Sequence, residues 1–135
     1  VSRKNNYRAI NIRTLPYPGF PTDLQQPLIP FLTQCQGISI VEETIYENRF
    51  QNISDTNRMG ADIIVKDNNL AQVSGITPLY GKNVVATDLR GGASLLICGL
   101  IAEGITIIDN INYILRGYDS ICEKLTRVGA KIELI

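Results

Sequence analysis

Segments with strand-like and helix-like hydrophobic spacing alternate along the chain. Residues 9–14 place Ile10 and Ile12 between polar neighbours, as a half-buried strand does. A segment with helical spacing follows, and its predicted apolar face consists of Leu24, Leu28, Phe31, Leu32 and Cys35. Pro30 should cost this helix a hydrogen bond, and Gly37 is expected to end it. A strand over 38–41 comes next.

The alternation continues to the end of the chain. The predicted elements are a polar connection over 42–50, a helix over 50–59, a hairpin of strands over 63–65 and 70–73, and a strand over 83–86. They continue with a helix over 89–102, a strand over 105–108, a helix near 121–128 and a final strand over 131–134. Such alternation favours an α/β fold with helices packed against one sheet.

The order of elements occurs twice, and the matching strings are Thr22-Asp23-Leu24-Gln25 with Thr87-Asp88-Leu89-Arg90, Gly37-Ile38-Ser39-Ile40-Val41 with Gly104-Ile105-Thr106-Ile107-Ile108, and Arg58-Met59-Gly60-Ala61 with Arg127-Val128-Gly129-Ala130. Arg49 falls opposite Arg116. Short loop insertions account for the small drift in displacement. The sequence therefore predicts one lobe of two β-α-β-α-β repeats, at about 7–75 and 80–135, with a further strand in the first.

A proline-rich corner over 17–23 joins the first strand to the first helix. Pro18 and Pro21 fix φ, and the Pro-Gly pair suits a type II turn, so the chain is expected to be stiff here. Thr22 or Asp23 is suited to cap the helix. Asp23 is thus either a helix cap, which is the more ordinary role, or a carboxylate held in position for chemistry.

Composition narrows the possible functions. Lys and Arg total 13, as do Asp and Glu, so no global field favours nucleic acid, a membrane surface or an acidic partner. The 135 residues contain no histidine, which removes Ser-His-Asp and Cys-His nucleophilic systems and most zinc and iron sites. An odd count of three cysteines favours a reducing cytoplasm, with Cys35 in the core. Val1 in place of Met suggests a processed chain or an excised fragment.

Three arginines are candidates for anion binding. Arg90 follows a Thr-Asp pair and precedes Gly91 and Gly92, so a guanidinium, bare backbone and a helix N-terminus are expected together. Arg49 and Arg116 each follow the carboxyl end of a predicted strand, where open α/β sheets bind ligands. The alternative is that all three form surface salt bridges.

Five strings resemble the UDP-N-acetylglucosamine 1-carboxyvinyltransferases, which are enolpyruvyl transferases of bacterial peptidoglycan synthesis: Tyr17-Pro18-Gly19-Phe20-Pro21-Thr22-Asp23-Leu24-Gln25, Glu43-Thr44-Ile45-Tyr46-Glu47-Asn48-Arg49-Phe50, Arg58-Met59-Gly60-Ala61, Thr87-Asp88-Leu89-Arg90 and Arg116-Gly117-Tyr118. They occur in the family's order, and the resemblance covers roughly the last third of a family member. It implies an inside-out α/β barrel of two lobes, each built from three β-α-β-α-β-β units. This chain would supply two units of one lobe.

The resemblance also implies a reaction, in which the enolpyruvyl group of phosphoenolpyruvate moves to the 3-hydroxyl of UDP-N-acetylglucosamine and phosphate is released. No metal or cofactor is expected. The implied substrate contacts are Asp23, Ile45, Tyr46, Arg49, Arg90 and Arg116. Among them Asp23 would be the base, Ile45 and Tyr46 would contact the nucleotide sugar, and the arginines would hold phosphoenolpyruvate, with Arg116 also catalytic.

The resemblance further implies the partners of the chain. They are the two small-molecule substrates and the N-terminal lobe of the same enzyme, which carries the family's reactive cysteine. The chain alone is therefore expected to fold without turning over. Two rival functions stay open: a lobe like that of 5-enolpyruvylshikimate 3-phosphate synthase, for which the 17–23 string and the Ile45-Tyr46 loop look wrong, and a noncatalytic module that shares the repeat.

Overall fold

The computed structural model describes residues 6–135. In chain order, their elements are β1 (Asn11–Arg13), α1 (Thr22–Leu32), β2 (Gly37–Glu42), α2 (Ile53–Arg58), β3 (Asp62–Lys66), β4 (Leu70–Gly75), β5 (Asn83–Val85), α3 (Leu89–Ile101), β6 (Ile107–Asp109), α4 (Asn112–Leu115) and α5 (Ile121–Arg127). The predicted alternation of strands and helices is confirmed. Within these residues no helix is both long and apolar enough to cross a membrane.

The strands form two sheets rather than the single sheet expected from the sequence. The larger sheet has the order β1-β2-β4-β3, with β1 parallel to β2 and β4 antiparallel to both of its neighbours. The smaller sheet is the parallel pair of β5 and β6. Asp67 and Asn68 both have positive φ, which suits the tight turn that returns β4 alongside β3. The β3-β4 hairpin is therefore what extends the first sheet to four strands.

Helices α1 and α3 pack against each other and join two apolar clusters. The first cluster consists of Ile29, Leu32, Cys35, Val41, Phe50, Ile53, Ile63, Ala71 and Val73. The second consists of Met59, Leu79, Val84, Leu95 and Cys98. The half-buried Ala61 packs against both clusters, so the core is continuous. The division into repeats at about 7–75 and 80–135 stays a prediction.

The buried face of α1 differs from the predicted one. Leu24 and Phe31 are exposed, whereas Gln25 and Gln26 are buried together with Ile29. The predicted face assumed that every apolar position points inward. Leu32 and Cys35 are buried as predicted, and Leu28 packs against the core, so the predicted face is wrong for Leu24 and Phe31 and omits the two buried amides.

The C-terminal segment also departs from the expectation. Residues 131–135 form no strand, and the prediction of one over 131–134 is wrong. A strand needs a neighbour for its backbone groups, and no strand of residues 6–135 pairs with this segment. The sequence also missed α4, a single short helix in the connection that carries Arg116.

Candidate functional site

The first turns of α1 and α3 meet at an ion pair. Asp23 Oδ1 lies 2.5 Å from Arg90 Nε, so one carboxylate joins the two helices. The hydrogen bond from Arg90 lowers the pKa of Asp23 despite partial burial, and the charges of Arg90 and Arg49 lower it further. The same pair raises the pKa of Arg90. Asp23 is therefore ionised at neutral pH, and a guanidinium is fixed beside it.

Neither Thr22 nor Asp23 caps α1, contrary to the expectation. Pro21 occupies the N-cap position with extended backbone, so α1 begins at Thr22 and Asp23 lies inside the first turn. The Thr22 hydroxyl donates instead to Glu43 Oε2 at 2.8 Å. Asp23 is consequently free of capping and available to Arg90.

The glycines after Arg90 do not offer open backbone to an anion, so that expectation is wrong. Asp88 caps α3, and its Oδ1 accepts hydrogen bonds from the backbone N–H groups of Arg90 and Gly91, both at 2.9 Å. A Cβ on Gly92 would lie 2.7 Å from Ile114 Cγ1. Both glycines are buried, and Gly92 allows α4 to pack closely on α3.

The loop after β2 is organised by a buried carboxylate. Glu43 is 2% exposed, and its Oε1 accepts from the Thr14 hydroxyl at 2.9 Å and from the N–H groups of Ile45 and Tyr46 at 2.8 and 3.1 Å. Its other oxygen accepts from Thr22. Burial alone would raise the pKa of Glu43, but these hydrogen bonds outweigh it and lower the pKa. The carboxylate stays charged and fixes the backbone of the loop.

The end of that loop is held by a second polar anchor. The buried Gln26 side chain donates to the backbone carbonyl of Arg49. The Arg49 guanidinium then stacks over the Tyr46 ring, 4.4 Å from its centroid. Such a contact stabilises a cation over the ring face. Arg49 is half-buried, and both its backbone and its side chain have defined positions.

Arg116 repeats this arrangement in the second half of the chain. It follows α4, and its guanidinium lies 5.3 Å from the centroid of the Tyr113 ring. Tyr113 was not predicted as a site residue. Its signal in the sequence is that Tyr46 and Arg49 have the same spacing as Tyr113 and Arg116, at the same displacement as Gly37 and Gly104 of the repeat.

The Arg116 connection lies beside the start of α3. A Cβ on Gly117 would lie 2.5 Å from Leu89 Cδ1, so the connection packs against the residue directly before Arg90. Arg116 itself is exposed. The structure thus gathers Asp23, Arg90 and Arg49, and it brings the backbone around Arg116 next to them.

Ile45 and Tyr46 also line an open groove of about 670 Å³. Its other lining residues are Arg13, Glu42, Glu43, Thr44, Glu47, Asn48, Asp67, Asn68 and Asn69. Four carboxylates against one guanidinium make this groove acidic, and Asp23 and the three candidate arginines are not among its lining residues. Anion chemistry therefore belongs to the Asp23 and arginine cluster rather than to the groove.

The buried thiols are unsuited to nucleophilic chemistry. Burial raises the pKa of Cys98 to about 12 and also raises that of Cys35. A thiol is reactive as its thiolate, which these surroundings disfavour. Both side chains lie in the apolar clusters, as expected for Cys35.

Similarity to known proteins decides the family. Residues 1–125 match the family described as EPSP synthase (3-phosphoshikimate 1-carboxyvinyltransferase). The chain belongs to the EPSP synthase family. The enolpyruvyl transferase resemblance and the expected fold class, an α/β part of one lobe, are confirmed with it.

Curated relatives narrow the match within this family. UDP-N-acetylglucosamine 1-carboxyvinyltransferase 1 of Caldanaerobacter subterraneus is 49% identical over 132 residues, which are 98% of this chain and 32% of the relative. The Streptococcus pneumoniae protein named UDP-N-acetylglucosamine 1-carboxyvinyltransferase is 49% identical over all 135 residues, again 32% of its length. The chain spans about a third of the length of the curated relatives it matches.

Solved structures agree on the fold. The enolpyruvyl transferase NikO from Streptomyces tendae superimposes with a TM-score of 0.87 at 28% identity, over 97% of this chain and 30% of that one. EPSP synthase from Acinetobacter baumannii gives a TM-score of 0.71 at 19% identity, over 82% of this chain and 27% of that one. The second likeness concerns the fold alone.

Proposed function

We propose that the chain is part of an enolpyruvyl transferase that acts on phosphoenolpyruvate and UDP-N-acetylglucosamine. The observation that carries this proposal is the contact between Asp23 and Arg90 at 2.5 Å, with Arg49 near enough to influence the same carboxylate. This contact supports the proposal because a carboxylate is able to accept a proton and a guanidinium is able to bind an anion. The substrates are those implied by the names of relatives that are 47–49% identical over nearly the whole chain.

Arg90 is suited to bond to Asp23 and to bind an anionic group of phosphoenolpyruvate at the same time. Asp23 engages its Nε, and a guanidinium carries four further N–H groups on its terminal nitrogens. Those groups match the planar, two-point geometry of a carboxylate or phosphate. In this proposal Arg49 and Arg116 hold the remaining charge of phosphoenolpyruvate, while Ile45 and Tyr46 contact the nucleotide sugar.

Asp23 is the proposed base. Asp23 takes the proton of the sugar 3-hydroxyl as the hydroxyl oxygen bonds to C2 of phosphoenolpyruvate, and an acid of the N-terminal lobe protonates C3. The same group of that lobe then takes a proton back from C3 as the bond from C2 to the phosphate oxygen breaks, which restores the vinyl group and releases phosphate. The pKa of Asp23 is lowered by Arg90, so the free carboxylate is ionised but weakly basic. An anion that draws Arg90 toward itself weakens that hydrogen bond and raises the basicity of Asp23.

The wider setting belongs to the same proposal. The reaction is the first committed step of peptidoglycan synthesis, it takes place in the cytoplasm, and it needs no cofactor. The N-terminal lobe of the same enzyme supplies the rest of the substrate cleft. The rival acceptor, shikimate 3-phosphate, is favoured by the family description alone.

A chimera tests this function directly. This chain replaces the matching 135 residues of the Streptococcus pneumoniae relative. Phosphate release is then measured with phosphoenolpyruvate and either UDP-N-acetylglucosamine or shikimate 3-phosphate. We expect turnover with the first acceptor only, and none from the 135-residue chain alone. Turnover with shikimate 3-phosphate would reject the proposed substrate.

The role of Asp23 is tested in the same chimera. Asp23→Asn keeps the size of the side chain but removes the base. We expect kcat to fall by about 10²–10⁴-fold, with a much smaller change in the KM for UDP-N-acetylglucosamine. A variant with nearly normal kcat would show that Asp23 is not the base.

A further inference from the structure

We propose that Glu43 is a positioning residue for the acceptor substrate, because its carboxylate sets the spacing between the helix start that carries Asp23 and the loop that carries Ile45 and Tyr46. The inference rests on the proposed function and adds a residue to it. Glu43 itself touches no reacting atom in this account. It acts through the backbone of the residues on either side.

The contacts of the carboxylate connect the two parts of the site. Its Oε2 accepts from the hydroxyl of Thr22, the residue directly before Asp23. Its Oε1 accepts from the N–H groups of Ile45 and Tyr46. A shift of this one side chain therefore moves the proposed base and the proposed sugar contacts relative to each other.

The chemistry of the site requires a carboxylate. Four donors converge on two oxygens, and an ionised carboxyl group can accept all of them. A glutamine side chain of the same length has one accepting oxygen and an NH₂ group that cannot accept. Its oxygen would keep the loop amides only as a neutral acceptor, and the Thr22 hydroxyl would have to turn and accept from the NH₂ group. Glu43→Gln should therefore weaken the bridge on both sides, because the charge that strengthens each bond is lost.

The burial of Glu43 supports a positional role. Removing a carboxylate from water is costly, and here the compensation comes from hydroxyl and backbone donors. The same residue also accepts from Thr14 at the end of β1, so the carboxylate is anchored on the sheet. Glu43 thus fixes the position of two connections relative to each other, residues 14–22 and residues 43–50.

The test uses two variants of the bridge and one matched control. Glu43→Gln alters both sides, whereas Thr22→Val removes only the bond to the helix start and is the milder change. Thr33→Val is the control, because it removes a buried hydroxyl that bonds to the Pro30 carbonyl at the other end of α1.

In the 135-residue chain, hydrogen exchange reports on the loop side of the bridge. We expect the amides of Ile45 and Tyr46 to exchange about tenfold faster in Glu43→Gln than in the unaltered chain, as loss of a charge-assisted hydrogen bond implies. Thr33→Val should leave both amides unchanged. Unchanged exchange in Glu43→Gln would overturn the proposal, whether or not the chimera is active.

In the chimera, kinetics report on positioning. Glu43→Gln should raise the KM for UDP-N-acetylglucosamine about tenfold and lower kcat, and Thr22→Val should do the same to a smaller extent, with the KM for phosphoenolpyruvate changed by less than about twofold in both. If both behave as Thr33→Val does, Glu43 only stabilises the fold and the inference is wrong. Absence of turnover by the unaltered chimera would reject the proposed function instead. The hydrogen-exchange data would still show whether Glu43 holds the backbone of Ile45 and Tyr46.

Discussion

The first turns of α1 and α3 carry the same Thr-Asp-Leu sequence and use it in different ways. Asp88 lies just before α3 and accepts two backbone N–H groups, so it completes the helix. Asp23 lies inside α1, because Pro21 and Thr22 start that helix earlier, and it bonds to Arg90 instead. One copy of the motif stabilises a helix, and the other has become available to the candidate site.

The two halves also hold their arginine segments by different means. In the first, the Gln26 side chain bonds to the carbonyl of Arg49. In the second, Gly92 leaves room for Ile114, two residues before Arg116. Both arginines nevertheless stack on a tyrosine three residues earlier. The same placement of a guanidinium is thus reached by a polar anchor in one half and by close packing in the other.

Among the variants that test how the two halves are held, Gly92→Ala should lower the free energy of unfolding the most. The added carbon would lie 2.7 Å from Ile114 Cγ1 and 3.2 Å from Ala86 Cβ, so α4 must move. We expect the free energy of unfolding to fall by about 3 kcal/mol, the upper part of the usual range for overpacking. Chemical denaturation measures it. Gly99→Ala is the control, since its new carbon meets only the Thr106 side chain at 3.3 Å; equal losses would contradict the packing role.

Acid should weaken the first half through Glu43. Its pKa is lowered in the folded chain, so its contribution is fully present above the ordinary value of 4.5 and is lost as the pH falls through the lowered folded value. Denaturation at about pH 6 and about pH 3.5 measures this dependence. We expect Glu43→Gln to reduce the acid-induced loss, by less than about 1.4 kcal/mol, which is the limit for one carboxyl group with an ordinary pKa of 4.5 over this pH range. The exposed Glu47→Gln serves as control, and an equal reduction in that variant would contradict the prediction.

The two aspartates should differ in stability when each is truncated. Asp88→Ala removes a helix cap and should lower the free energy of unfolding by about 1 kcal/mol. Asp23→Ala removes an exposed ion pair, which usually contributes little, so we expect a smaller loss, below about 0.5 kcal/mol. Chemical denaturation of the two variants side by side measures which one loses more of its free energy of unfolding. A larger loss for Asp23→Ala would mean that Asp23 is mainly structural.

Periodicity and repetition were sufficient to predict most of the fold. The positions of α1, α3 and the β3-β4 hairpin follow from local spacing, which the final structure keeps. The strand over 131–134 failed because a strand depends on a partner that local sequence does not specify. The face of α1 was predicted only in part, because apolar spacing selected the exposed Leu24 and Phe31 and gave no signal that Gln25 and Gln26 are buried.

The candidate site was less accessible to sequence reasoning. Arg49, Arg90 and Asp23 could be selected from charge and repetition, but the partner of Asp23 could not, since capping was the simpler local role. Glu43 carried no signal as a buried acceptor, because charged residues in polar connections are usually solvated. Its function in the structure depends on donors far away in the sequence, Thr14 and Thr22.

Binding of an anion tests most directly whether the two halves form one site. The 135-residue chain is titrated with inorganic phosphate while backbone amide shifts are followed. We expect weak binding that decreases with salt, with shifts near Arg49, Arg90 and Arg116 that disappear in Arg116→Lys, because lysine cannot reproduce the two-point grip of a guanidinium. Arg13→Lys, which alters the Glu42 ion pair at the acidic groove, should leave them unchanged. Scattered shifts that are the same in both variants would contradict a shared anion site.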